Sequence, residues 1–167
     1  MCRTTTRRFG CSLTEVPVAR RMAAEVFDAW RVPPGDPARQ VRSDLELVTG
    51  ELAANAVRFC RSGFSVSLEA HRDHVMLTVQ DDGPATEGLF IAPKVPSPDA
   101  ESGRGLLIVA AIASRWGTAG EVTSASDGGT RVWARIEFDD SSSYLGQECR
   151  FAQPVASGAR DLRSPER

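Results

Sequence analysis

The sequence predicts an α+β fold: a two-layer α/β sandwich in which helices cover one face of a mostly antiparallel mixed sheet. Three observations predict it. Two neighbouring segments alternate apolar and polar residues and read as a hairpin: Phe64, Val66, Leu68 and Ala70, then Val75, Leu77 and Val79. Two longer segments before them repeat apolar residues at helical spacing. The order strand, helix, helix, strand, strand, loop, helix, strand, strand does not alternate regularly, which excludes a doubly wound parallel sheet.

Each element has a local cause. Residues 7–12 read as a short edge strand. Val18, Met22, Val26 and Trp30 recur at helical spacing over 16–30, with Arg20, Arg21 and Glu25 on other faces. The run Pro33, Pro34, Gly35, Asp36, Pro37 breaks the chain. A second helix is expected from about 38 to 60, with Leu45, Val48, Leu52 and Ala56 as its buried stripe and Gly63 near its C-cap. Arg72 and Asp73 supply the hairpin turn. Residues 83–102 carry four prolines and no sustained period, and read as a loop that is either a functional lid or a disordered insert. A strongly apolar helix follows from Leu106 to Ala113, then strands near 116–123 and 130–138. The expected organisation is a flexible stretch over 1–6, one domain over 7–138, and a disordered tail over 139–167, rich in Ser, Arg and small residues.

Composition narrows the function classes. A chain of 167 residues supplies one domain with a sizeable core. A formal net charge of -2 gives no basic excess of the kind nucleic-acid binders carry, so no direct nucleic-acid partner is expected. The start, Met1 to Arg8, has no apolar run after its basic residues, and nothing reaches bilayer-spanning length. A cytoplasmic protein without membrane contact is expected. Cys2, Cys11, Cys60 and Cys149 are scattered, form no Cys-x-x-Cys pair, and are expected to be free thiols.

Four short segments carry candidate chemistry. Glu51 and Asn55 lie four apart on the second helix and so share a face. A carboxylate can take a proton from a hydroxyl, and a carboxamide oxygen is a hard ligand suited to Mg²⁺. Asp81, Asp82 and Gly83 stand where a strand stops; an aspartate there can accept from an exocyclic amine, and the glycine lets a flat ring approach. Gly103, Arg104 and Gly105 open a helix, where free N–H groups and the positive helix end favour phosphate. Gly128, Gly129 and Thr130 precede the last strand. Taken singly, these also read as helix dressing, a strand-ending turn, a loop-to-helix junction and a hairpin turn.

In their joint order these segments resemble the GHKL ATPase superfamily, and within it the small anti-sigma-factor serine/threonine kinases. The resemblance covers about residues 7–138. Glu51 to Arg58 is similar to the N-box, Asp81 to Pro84 to the first glycine box, Glu101 to Leu106 to the second, and Gly128 to Trp133 to the closing segment. The resemblance implies the Bergerat ATP-binding fold and ATP with Mg²⁺ as cofactors. It implies Asn55 on the metal, Glu51 as general base, and Asp81 accepting from the adenine amine above Gly83. Gly103 and Gly105 would cradle phosphates, with Arg104 adding a charged contact, and Thr130 would support the adenine side. The implied activity is a protein serine/threonine kinase acting on an anti-sigma-factor antagonist domain, with a sigma factor as the other partner and a homodimer as the assembly. The alternative is a nucleotide-gated protein-binding module without catalysis. One departure stands out: Ala85 occupies the place of the first box's second glycine. No dimerisation helix with a phosphoacceptor histidine is read before residue 7, so a full sensor kinase is not expected.

Overall fold

The computed structural model describes residues 3–31, 36–83, 104–119 and 129–138. Five strands and three helices are described: β1 (Arg3–Gly10), α1 (Glu15–Trp30), α2 (Asp36–Phe59), β2 (Gly63–Ala70), β3 (His74–Asp81), α3 (Gly105–Ile112), β4 (Arg115–Ala119) and β5 (Arg131–Glu137). The strands form one sheet in the order β1-β2-β3-β5-β4, and every pairing is antiparallel. The helices pack on one face, as an α+β sandwich requires. Among the described residues no helix is long and apolar enough to cross a membrane. The loop over 83–102, apart from Gly83, and the tail over 139–167 lie outside the described residues.

The hairpin forms as its alternation demands. Phe64, Val66, Leu68 and Ala70 of β2 point inward with Val75, Leu77 and Val79 of β3, and all are buried. In α2, the expected stripe of Leu45, Val48, Leu52 and Ala56 is buried against the sheet. Each large aliphatic chain buried this way contributes about 1.5–3 kcal/mol. The stripe of α1 is turned slightly from the expected one. Ala19, Met22, Ala23 and Phe27 face the core, while Val18, Val26 and Trp30 flank it, because small alanines let the backbone come close. Pro37 stands in the first turn of α2, where a missing N–H costs nothing.

Two boundaries differ from expectation. β1 starts at Arg3, inside the stretch expected to be flexible, because it pairs with β2 along its whole length, from Arg3 opposite Ala70 to Gly10 opposite Gly63. Its core anchor is Phe9, stacked on Phe64 at 5.3 Å between ring centroids. Gly63 is not a helix cap. It opens β2, and a methyl group there would stand 2.3 Å from the Phe9 carbonyl oxygen.

The thiol expectation is also corrected: Cys11 and Cys60 form a disulfide that closes the β1–α1 corner onto the end of α2. Folding brings their Cα atoms to 6.0 Å, within disulfide range, although 49 positions separate them in sequence. Cys2 and Cys149 lie outside the described residues.

The turn between β2 and β3 holds a second unforeseen cluster. His74 is buried, its ring stacks on His71 at 4.1 Å, and its Nδ1 lies 2.6 Å from Asp73 Oδ1. Arg135 bonds the other Asp73 oxygen at 2.8 Å. Burial pushes the His71 imidazole down to about 4, with the neighbouring His74 adding to the effect. Burial also lowers His74, against the opposing pull of Asp73. Both rings thus favour the neutral form in the fold, while the unfolded chain takes up protons near 6.5. Stability is therefore expected to fall as pH drops from about 6.5 towards about 4, since the unfolded state binds more protons there. Urea midpoints measured between pH 7.5 and 4.5 check this; in His71→Phe the decline should be shallower.

Candidate functional site

The site is built along one face of α2. Glu51, Asn55 and Phe59 are spaced by four, so they follow one another along that face over about 12 Å. At the first of these positions α2 meets the start of α3. A methyl group on Gly105 would stand 2.6 Å from Glu51 Oε2 and push that carboxylate aside, so the glycine lets it lie against the helix opening as it does here. At the last position α2 meets the end of β3. A methyl group on Gly83 would stand 2.3 Å from the Phe59 carbonyl oxygen. Asn55 sits between these two contacts and is half-buried.

The end of β3 presents an acid by simple continuation of its pattern. Val75, Leu77 and Val79 point inward, and Asp81 takes the next inward position, 7% exposed. Its Oδ1 accepts from the Gly83 N–H at 2.8 Å and from the Thr130 N–H at 3.2 Å. Its own N–H donates to the Thr130 carbonyl at 3.0 Å. Among the described residues both side-chain bonds fall on Oδ1, and Oδ2 is the acceptor a ligand amine can meet. Gly129 closes the same corner: a methyl group there would stand 2.0 Å from the Asp81 carbonyl oxygen.

Arg104 caps α3, and its carbonyl accepts from the Leu107 and Ile108 N–H groups. The N–H groups of Gly105 and Leu106 precede these first intrahelical bonds, at the positive end of the helix. Thus Glu51 meets Gly105, with Arg104 beside it, at one place on α2, Asp81, Gly83 and Thr130 gather by its end, and Asn55 lies between them along the helix. Gly103 and Ala85 lie outside the described residues.

Asp82, which shares the candidate segment with Asp81, has a structural role instead. It points to the other side of the strand end and organises the turn after α2. Its Oδ1 accepts from the N–H groups of Arg61, Ser62 and Gly63 at 2.8, 3.1 and 3.2 Å. Its Oδ2 accepts from the Ser62 hydroxyl and from Arg8 Nη2, the latter at 3.0 Å. Burial pushes this carboxyl up, but the bonds from Ser62, Arg61 and Gly63 outweigh it and hold the group well below the usual carboxylate range. The signal was present in the sequence: two adjacent acids ending a strand must project to opposite sides, so both cannot serve one cleft.

Among the described residues no group of three or more His, Cys, Asp or Glu side chains is placed to hold a metal. Comparison with protein families matches residues 10–136 to the histidine kinase-like ATPase domain. No curated protein matches the chain. The matched span runs from the end of β1 into β5 and takes in the described candidate residues around α2. With well over half of its length matched, the chain belongs to the histidine kinase-like ATPase domain family, an ATP-binding one.

Proposed function

We propose that this chain is an anti-sigma-factor serine/threonine kinase, which binds ATP with Mg²⁺ and transfers the γ-phosphoryl group to a Ser or Thr of an antagonist domain. The observation that carries the reading is the convergence on one face of α2. The buried Asp81, with its Oδ2 unbonded among the described residues, stands at one end, the N-terminus of α3 against Glu51 at the other, and Asn55 between them. Asp81 Oδ2 accepts from the adenine amine, Gly83 leaves room for the ring, and Thr130 holds Asp81 in place. Gly103, Arg104 and Gly105 take the phosphates at the helix opening.

The residues fit a hard cation held largely by phosphate and water. Asn55 offers a carboxamide oxygen one turn from Glu51, and Mg²⁺ commonly takes only one or two protein ligands. When bound, Mg²⁺ supplies charge neutralisation for the transferring phosphoryl group. Glu51, one turn before Asn55, takes the proton of the attacking hydroxyl. The added phosphate weakens docking of the antagonist by like-charge repulsion, which frees the kinase surface for a sigma factor.

Isothermal titration with ATP, with and without Mg²⁺, tests the binding; labelled γ-phosphate transfer to candidate antagonist domains tests the chemistry. Asn55→Ala is expected to lose about tenfold in affinity with Mg²⁺ and little without it. Equal losses in both conditions remove Asn55 from the metal. Tight binding with no transfer to any antagonist leaves a nucleotide-gated binding module in place of a kinase.

A further inference from the structure

The Cys11–Cys60 bond lies behind the candidate site rather than in it. Cys60 continues the last turn of α2, since its N–H still donates to the Ala56 carbonyl at 2.8 Å. The residue before it, Phe59, places its carbonyl against Gly83. The three residues after it give their N–H groups to Asp82. The disulfide therefore anchors to the β1–α1 corner the same turn that forms the rear wall of the Asp81–Gly83 corner.

Both oxidation states fit this backbone. Cys11 is exposed, so a small thiol reagent can reach it. Carbonyl acceptors stand ready for separated thiols: Cys60 O is 3.1 Å from Cys11 Sγ, and Val57 O is 3.6 Å from Cys60 Sγ. Opening the bond leaves each sulfur a partner, so it changes the tether rather than the fold. Untethered, residues 60–63 regain freedom that ligand binding must then remove.

We propose that Cys11 and Cys60 form a reversible thiol–disulfide switch on nucleotide affinity, with the oxidised protein binding ATP more tightly than the reduced one. This rests on the ATP-binding reading above. The oxidant is a low-molecular-weight disulfide. The Cys11 thiolate attacks one of its sulfurs, forming a mixed disulfide and releasing one small thiol. The Cys60 thiolate then attacks the Cys11 sulfur and displaces the second small thiol. The two protein thiols give up two protons and two electrons, and the external disulfide is reduced to two thiols. A dithiol runs the exchange backwards.

The test uses the full chain with Cys2→Ser and Cys149→Ser, so that only this pair reports. Alkylation followed by mass spectrometry counts thiols after treatment with oxidised glutathione or with dithiothreitol. On each form, calorimetry measures ATP·Mg²⁺ affinity, and amide hydrogen exchange follows residues 59–63 and 81–83. Reduction is expected to raise Kd roughly fivefold and to speed exchange in both segments, the gain in freedom being that of a few released residues. Adding Cys11→Ser should give the reduced values in either buffer. Equal affinity and equal exchange in two forms that differ by thiol count overturn the switch, as does a pair that stays reduced in oxidised glutathione. Absence of ATP binding in both forms overturns the ATP reading itself, and the switch with it.

Discussion

Replacing Glu51 with glutamine is expected to lower phosphoryl transfer about a thousandfold while ATP affinity stays within about threefold. The substitution keeps the shape of the side chain, so the contact with Gly105 persists and α3 keeps its place against α2. What disappears is the carboxylate's ability to take a proton. General-base catalysis by a positioned side chain typically contributes 10²–10⁴-fold, which sets the size of the expected loss. Single-turnover transfer of labelled γ-phosphate to the antagonist domain, at saturating ATP·Mg²⁺, measures it. A variant that transfers within tenfold of the parent rate shows that Glu51 only packs against Gly105.

Asp81→Asn is expected to weaken ATP binding by about a hundredfold with little effect on folding. The amide retains one oxygen, and that oxygen can still accept from the Gly83 and Thr130 N–H groups that now meet Oδ1. Its nitrogen then falls where Oδ2 stood and faces the exocyclic amine with a donor. The loss combines a missing bond to a charged acceptor with a buried donor left opposite a donor, together about 3 kcal/mol. Calorimetry on the variant, beside its thermal midpoint, separates the two effects. An unchanged Kd shows that Asp81 does not recognise the base; a midpoint lowered by more than about 8 °C shows that the two N–H bonds were not kept.

Much of the site was legible in the residues themselves. Glu51 and Asn55 announce a shared helix face by their spacing, and Asp81 follows Val75, Leu77 and Val79 at strand period. Gly83 and Gly105 drew notice as places of close approach, but the approaching groups were not visible. Gly83 faces the Phe59 carbonyl and Gly105 faces the Glu51 carboxylate, each supplied by a distant stretch of chain. The structural role of Asp82 was not legible in the sequence, because its partners, Arg8 and residues 61–63, lie on other elements.

Local periodicity, turn chemistry and charge determined the element types, the inward faces of α2, β2 and β3, and the helix face that carries the acid and the carboxamide. These depend on neighbours within one or two turns of chain, which a linear sequence displays. Only the folded chain decided that β1 pairs from Arg3 onward, that Cys11 meets Cys60, that the two histidines stack, and that Gly83 and Gly105 bracket Asn55 from opposite ends. Those relations join residues tens of positions apart. They are set by how the sheet registers and how α2 lies across it, quantities that no local pattern encodes.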